Sequence, residues 1–158
     1  MRFVESRAII WALGEIGTDD AIPQLTLCLS ESFRPVDALI ALGKIGNIGT
    51  IGLIVPYILK GVGEARSMAL RSLSMILEKY SDIADGVEEL RMSLAQMLRT
   101  IVLEDEDRTS RFYAMLCLAR IGEKMDQAQV RQALDMSISK DQMSSFQSFF
   151  MRGQKKNK

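Results

Sequence analysis

The chain has no histidine among its 158 residues. That removes the commonest general base and the commonest metal ligand at once. Cysteine is nearly as scarce, with Cys28 and Cys117 the only two. Both stand among apolar residues at helical spacing, and without histidine to complete a ligand set a zinc site is disfavoured. They read as small buried hydrophobes in a reducing compartment, since neither spacing nor context argues for a disulfide. Net charge is also missing. Twenty basic residues cancel twenty acidic ones, and the balance holds in each half, with 8 of each sign in 1–79 and 12 of each in 80–158. Bulk electrostatics therefore supply no attraction to nucleic acid or to an anionic membrane. No apolar run approaches the ~18 residues that a membrane span needs, and the opening Met1-Arg2-Phe3-Val4-Glu5-Ser6 enters a charged helical pattern, unlike a signal peptide. The expected location is cytoplasmic.

Two local patterns fall short of known binding motifs. Gly46, Gly49 and Gly52 are spaced like an anion nest, but no strand precedes them and no Lys-Ser/Thr follows, so they read as a loose turn. Glu104-Asp105-Glu106-Asp107 lacks the alternating ligands and the glycine of a calcium loop. It reads as a solvated loop whose acids favour the N-terminus of the next helix. No cofactor and no small-molecule substrate are implied.

What is present is a repeat. Residues 12–17 read Ala-Leu-Gly-Glu-Ile-Gly, and 29 residues later 41–46 read Ala-Leu-Gly-Lys-Ile-Gly; 117–122 give a third version, Cys-Leu-Ala-Arg-Ile-Gly. Self-similarity at such a period marks a repeat architecture. With 47% apolar residues the chain can bury a core, and every segment shows the 3.6-residue period with no strand alternation. The pattern predicts an all-α fold of about nine helices: roughly 4–16, 21–30, 34–45, 49–60, 64–79, 83–103, 108–121, 126–138 and 141–151. Asp20 is the expected N-cap of the second and Pro56 an expected kink in the fourth. In the last, Met143, Phe146 and Phe150 share one face and predict a cap on the final pair. Residues 1–151 read as a single repeat domain and 152–158 as a disordered basic tail. The chain opens on a repeat helix without a polar cap ahead of it, the expectation for a piece of a longer protein.

Arg7 to Gly17 followed by Asp20-Ala21-Ile22-Pro23-Gln24-Leu25 resembles a HEAT repeat, most of all the short subtype named after the phycobilisome lyases. Residues 36–46 with 48–58 repeat it, 110–122 give a looser copy, and 64–77 fit weakly, with Ser74 where the glycine belongs. The resemblance implies a right-handed α-α superhelix. The absence of histidine excludes the HEAT enzymes that bind iron through His-Glu pairs. In the motif, Ala and Gly let a neighbouring helix approach, Leu and Ile fill the core, and the terminal Gly makes a left-handed cap. That is packing chemistry, and it identifies architecture rather than activity.

One departure from the family pattern bears on function. The position before Ala-Leu-Gly is usually polar in the family; here it holds Trp11, Ile40 and Leu116, preceded by the apolar Ile10, Leu39 and Met115. The resemblance places this helix on the concave side, so the repeats would line up an apolar stripe. The candidate protein-contacting residues are Trp11, Glu15, Ile40, Lys44, Met115, Leu116 and Arg120. The leading expectation is a non-catalytic scaffold that binds another protein. A bilin lyase, or a subunit of one, is the alternative implied by the repeat subtype. A nucleic-acid binder using Arg66, Arg71, Arg111 and Arg120 is a third, interrupted by Glu15 and Asp37. Ten methionines, among them Met68, Met75, Met92, Met97 and Met115, read as core filling, with an adaptable binding surface as the sharper reading.

Overall fold

A computed structural model describes residues 7–31, 35–80 and 88–123. Seven α-helices run through them: α1 Arg7–Ile16, α2 Ile22–Glu31, α3 Pro35–Ile45, α4 Ile51–Lys60, α5 Glu64–Lys79, α6 Glu88–Glu104 and α7 Arg108–Arg120. Among the described residues there is no strand, as the periodicity predicts. The helices expected over 126–138 and 141–151, with Met143, Phe146 and Phe150, lie outside the described residues, as do 4–6, 83–87 and the tail. The chain divides into two compact units, Met1–Tyr80 and Ser81–Lys158.

In the first unit the helices alternate between two layers. α1 packs on α3 and α3 on α5, while α2 packs on α3 and α4 on α5. The first set runs parallel. Arg7 pairs with Asp37 at the starts of α1 and α3, Glu15 pairs with Lys44 near their ends, and Ser72 Oγ lies 2.7 Å from the Leu39 carbonyl between α3 and α5. Three-residue connections join α2 to α3, α4 to α5 and α6 to α7. Connections of this length are the ones that join antiparallel helix pairs. In the second unit α6 and α7 pack as such a hairpin. Arg91 early in α6 bonds Glu123 just beyond α7 at 2.6 Å, and Arg99 joins the same carboxylate.

The glycines explain how closely the layers sit. A Cβ on Gly14 would lie 2.9 Å from the Ala41 Cα, and one on Gly43 would lie 2.8 Å from the Ser72 Cα. Contact at that distance admits only hydrogen, so the motif's central glycine is a packing requirement. The two junctions also fix the register of α5. Ser72 occupies the place of Ala41, 31 residues on, which puts buried Ser74 in the place of Gly43. Helix starts keep the 29-residue step, from Pro35 to Glu64, but the motif inside α5 falls two residues later.

The caps divide into one confirmation and one correction. Gly17, Gly46 and Gly122 have φ of 70°, 73° and 78°, the left-handed conformation expected of the terminal glycine. The Gly46 N–H donates to the Leu42 carbonyl at 3.0 Å, and Lys79 Nζ donates to the carbonyls of Lys44 and Ile45 at 2.9 and 2.8 Å. A cation thus meets the negative end of α3. Asp20 is not an N-cap. It sits inside a 3-10 turn, Asp19–Ala21, that precedes α2. The backbone closes that turn itself, Ala21 N–H to Thr18 carbonyl at 3.1 Å, leaving no side-chain role. Pro56 lies at an exposed position within an uninterrupted α4, and the carbonyl of Gly52 that loses its helical donor belongs to an exposed residue that water can reach.

Both cysteines are free and buried, and burial pushes both thiols up. The methionines split: Met115 is core, Met68, Met75 and Met97 are half-buried, and Met92 is exposed.

Candidate functional site

The residue before the motif is exposed on α1 and half-buried on α3, because it points across the direction in which the parallel helices stack. Trp11 is 61% exposed, and Ile40 is intermediate. Register places exposed Arg71 of α5 next in this row. The neighbouring row, four residues on, holds Glu15, Lys44 and Met75.

These rows are linked across α1 and α3. Lys44 Nζ pairs with the Glu15 carboxylate and lies 5.6 Å from the centre of the Trp11 ring, within the range of a cation–π contact. The arrangement holds the indole in place while leaving most of it in water. A large, oriented aromatic, with a half-buried aliphatic at the matching position of the next motif helix, is the composition of an interface anchor. Glu15 and Lys44 neutralise each other, so the patch is amphipathic rather than charged.

Of the sequence-predicted contact residues, Trp11, Glu15, Ile40 and Lys44 come together on α1 and α3. Leu116 and Arg120 are half-buried on α7 in the other unit. Met115 is a correction. It is fully buried, like Ile10 and Leu39 at the matching positions, because it points inward at the step where the helix meets its hairpin partner. Arg71 and Met75 were missed as members of the rows. The signal was the two-residue lag of the motif in α5, visible once Ser74 is set against Gly43.

The acidic run before α7 forms a cap. Asp107 accepts from the Ser110 N–H at 2.9 Å, the Ser110 hydroxyl at 2.8 Å and the Thr109 N–H at 3.3 Å. Partial burial raises its carboxyl, but these hydrogen bonds, aided by Arg111, outweigh that and hold it below the usual range. Arg111 donates to the carbonyls of Asp105 and Glu106 at 2.7 and 3.1 Å, which commits it to the loop. On α6 the hydrogen bond from Arg91 lowers the Glu88 carboxyl and raises the guanidinium. Among the described residues no group of three His, Cys, Asp or Glu could hold a metal. No described helix is long and apolar enough to cross a membrane.

Parallel motif helices backed by reversed partners define a helical-repeat protein. The repeat is of a known kind: residues 7–31, spanning α1 and α2, match the PBS lyase HEAT-like repeat. The chain thus carries a HEAT-like repeat of the phycobilisome-lyase subtype. No curated protein is significantly similar to it.

Proposed function

We propose that the chain is a non-catalytic scaffold that binds a segment of another protein across the rows of α1, α3 and α5. The observation that carries this is the exposed Trp11, held by Lys44. Core packing does not require an indole at a position where it stays mostly in water. In this reading the helices continue into a right-handed superhelix of about nine helices, and Trp11 and Ile40 look into its concave side. Helical solenoids offer long surfaces of this kind. The setting is the cytoplasm. The test is selection of binding peptides from a displayed library, followed by affinity measurements. Trp11→Ala should weaken binding by about 30-fold, the equivalent of roughly 2 kcal/mol for an anchor. Binding unaffected by Trp11→Ala would remove the reading.

The repeat subtype favours a second reading, a bilin lyase or a subunit of one. It predicts that adding a bilin to the protein shifts the pigment's absorbance band. An unshifted spectrum at excess protein would set it aside.

A further inference from the structure

Along the rows of α1, α3 and α5 the charges cancel, save one. Arg7 pairs with Asp37, and Lys44 pairs with Glu15. Arg71 holds the position in α5 that matches Trp11 and Ile40, and it is exposed. Among the described residues no carboxylate pairs with its guanidinium. The acids of its own helix, Glu64 and Glu78, stand seven positions away on either side, about 10 Å along the axis. Met68 and Met75, one turn to either side on the same face, are half-buried. The cation therefore rises from an apolar surround, where an ion pair is screened less than in open water.

A charge left over in otherwise neutral rows selects what lies on them. Resting on the reading that these rows bind a protein segment, we infer that the segment is acidic at one place: it lays an apolar residue on Trp11 and an aspartate or glutamate side chain on Arg71. The packing sets the spacing between the two. Gly14 against Ala41 and Gly43 against Ser72 hold neighbouring motif helices at close approach. At about 8 Å between axes, the two steps from Trp11 to Arg71 span about 16 Å. An extended chain covers that in about five residues, at ~3.3 Å each. Ile40 holds the matching position on the helix between and favours an apolar residue over it. One cation among apolar side chains suits a single carboxylate, not the repeating charge of a nucleic-acid backbone.

Selection of short random peptides displayed to the whole chain, followed by titration of the selected peptide in amidated form, tests this. The selected sequences should carry Asp or Glu about five residues from an aromatic or aliphatic residue. Replacing that acid by its amide, or Arg71→Gln in the protein, should each weaken binding about five-fold, the upper range for an exposed ion pair. The two changes together should cost no more than either alone. Arg71→Glu should reverse the preference, binding a lysine version of the peptide better than the acidic one, which a merely structural role for Arg71 would not produce. Helical circular dichroism should be unchanged in both variants, because the site is exposed. Peptides that depend on Trp11 but lack an acid at this spacing, or that bind Arg71→Gln as tightly as the wild type, overturn the inference and leave the protein-binding reading standing. Failure to select any peptide, or binding indifferent to Trp11→Ala, overturns both.

Discussion

α1 and α3 carry nearly the same six residues, Ala-Leu-Gly-Glu-Ile-Gly and Ala-Leu-Gly-Lys-Ile-Gly, yet they live in different surroundings. α3 has α1 on one side and α5 on the other. Its Ala38, Ala41, Leu42 and Ile45 are core, and its Gly43 meets Ser72. α1 has a described neighbour on one side only, so the same motif leaves Ile9 and Ile16 in water while Gly14 still meets Ala41. The motif therefore specifies how a helix joins the next one. Whether its other face is core or surface depends on position in the stack.

That difference sets the size of substitution effects at matched sites. Leu42→Ala empties a fully enclosed site and should cost about 2–5 kcal/mol. Leu13→Ala, at the same motif position but half-buried, should cost less than half as much. Urea unfolding of the two variants measures this. Equal losses would mean that α1 is as enclosed as α3.

The glycines extend the contrast to overpacking. Gly43→Val forces α3 away from α5, and the Cβ must also displace the Ser72 hydroxyl, 3.0 Å away, which lies 2.7 Å from the Leu39 carbonyl. A loss of about 3 kcal/mol is expected, at the upper end for overpacked cores. Gly14→Val meets the Ala41 Cα at 2.9 Å, but α1 can shift toward its open side, so about 1–2 kcal/mol suffices. The two denaturation midpoints should separate in that order.

The third copy of the motif, on α7, adds a pH-dependent term that no side-chain cap provides at the turn before α2. The folded Asp107 carboxyl lies below the ordinary value of an aspartate. A group depressed by folding contributes stability above its unfolded pKa and loses it as pH falls through the folded one. The second unit should therefore weaken below about pH 4. Asp107→Ala should cost about 1 kcal/mol at neutral pH, the usual worth of an N-cap, and should flatten the acid limb. Asp20→Ala, inside the turn before α2, should change neither quantity. Thermal melts at pH 7 and pH 3 compare the two.

The sequence made part of this legible. The doubled Ala-Leu-Gly carried the helical layers, the left-handed glycines and the close approach at Gly14 and Gly43, because each follows from local residue type. Ser74 in the glycine position pointed to the register of α5, though the 29-residue step alone hid Arg71 and Met75. The role of Asp20 was not readable, since a cap and a 3-10 turn make the same demand on Asp and only the backbone path decides between them. Met115 was misplaced because adjacent residues on a helix point about 100° apart. Calling both Met115 and Leu116 surface ignored that step. The open stripe of α1 was invisible for a different reason: its sequence is that of a buried stripe.

The smallest effect on stability should be the most telling for function. Trp11 is 61% exposed, and its main described contact is with Lys44. An exposed cation–π contact contributes about 0.5–1 kcal/mol, so Trp11→Ala should leave the unfolding midpoint almost unchanged. Trp11→Phe keeps an aromatic face for Lys44 and should be closer still to the wild type. In peptide binding the two variants should part, the phenylalanine retaining most of the affinity and the alanine losing it. This separates a row built for recognition from one built for packing. If Trp11→Ala lowers the midpoint as much as Leu13→Ala does, the indole belongs to the core of α1 and α3, and the recognition surface must be sought elsewhere.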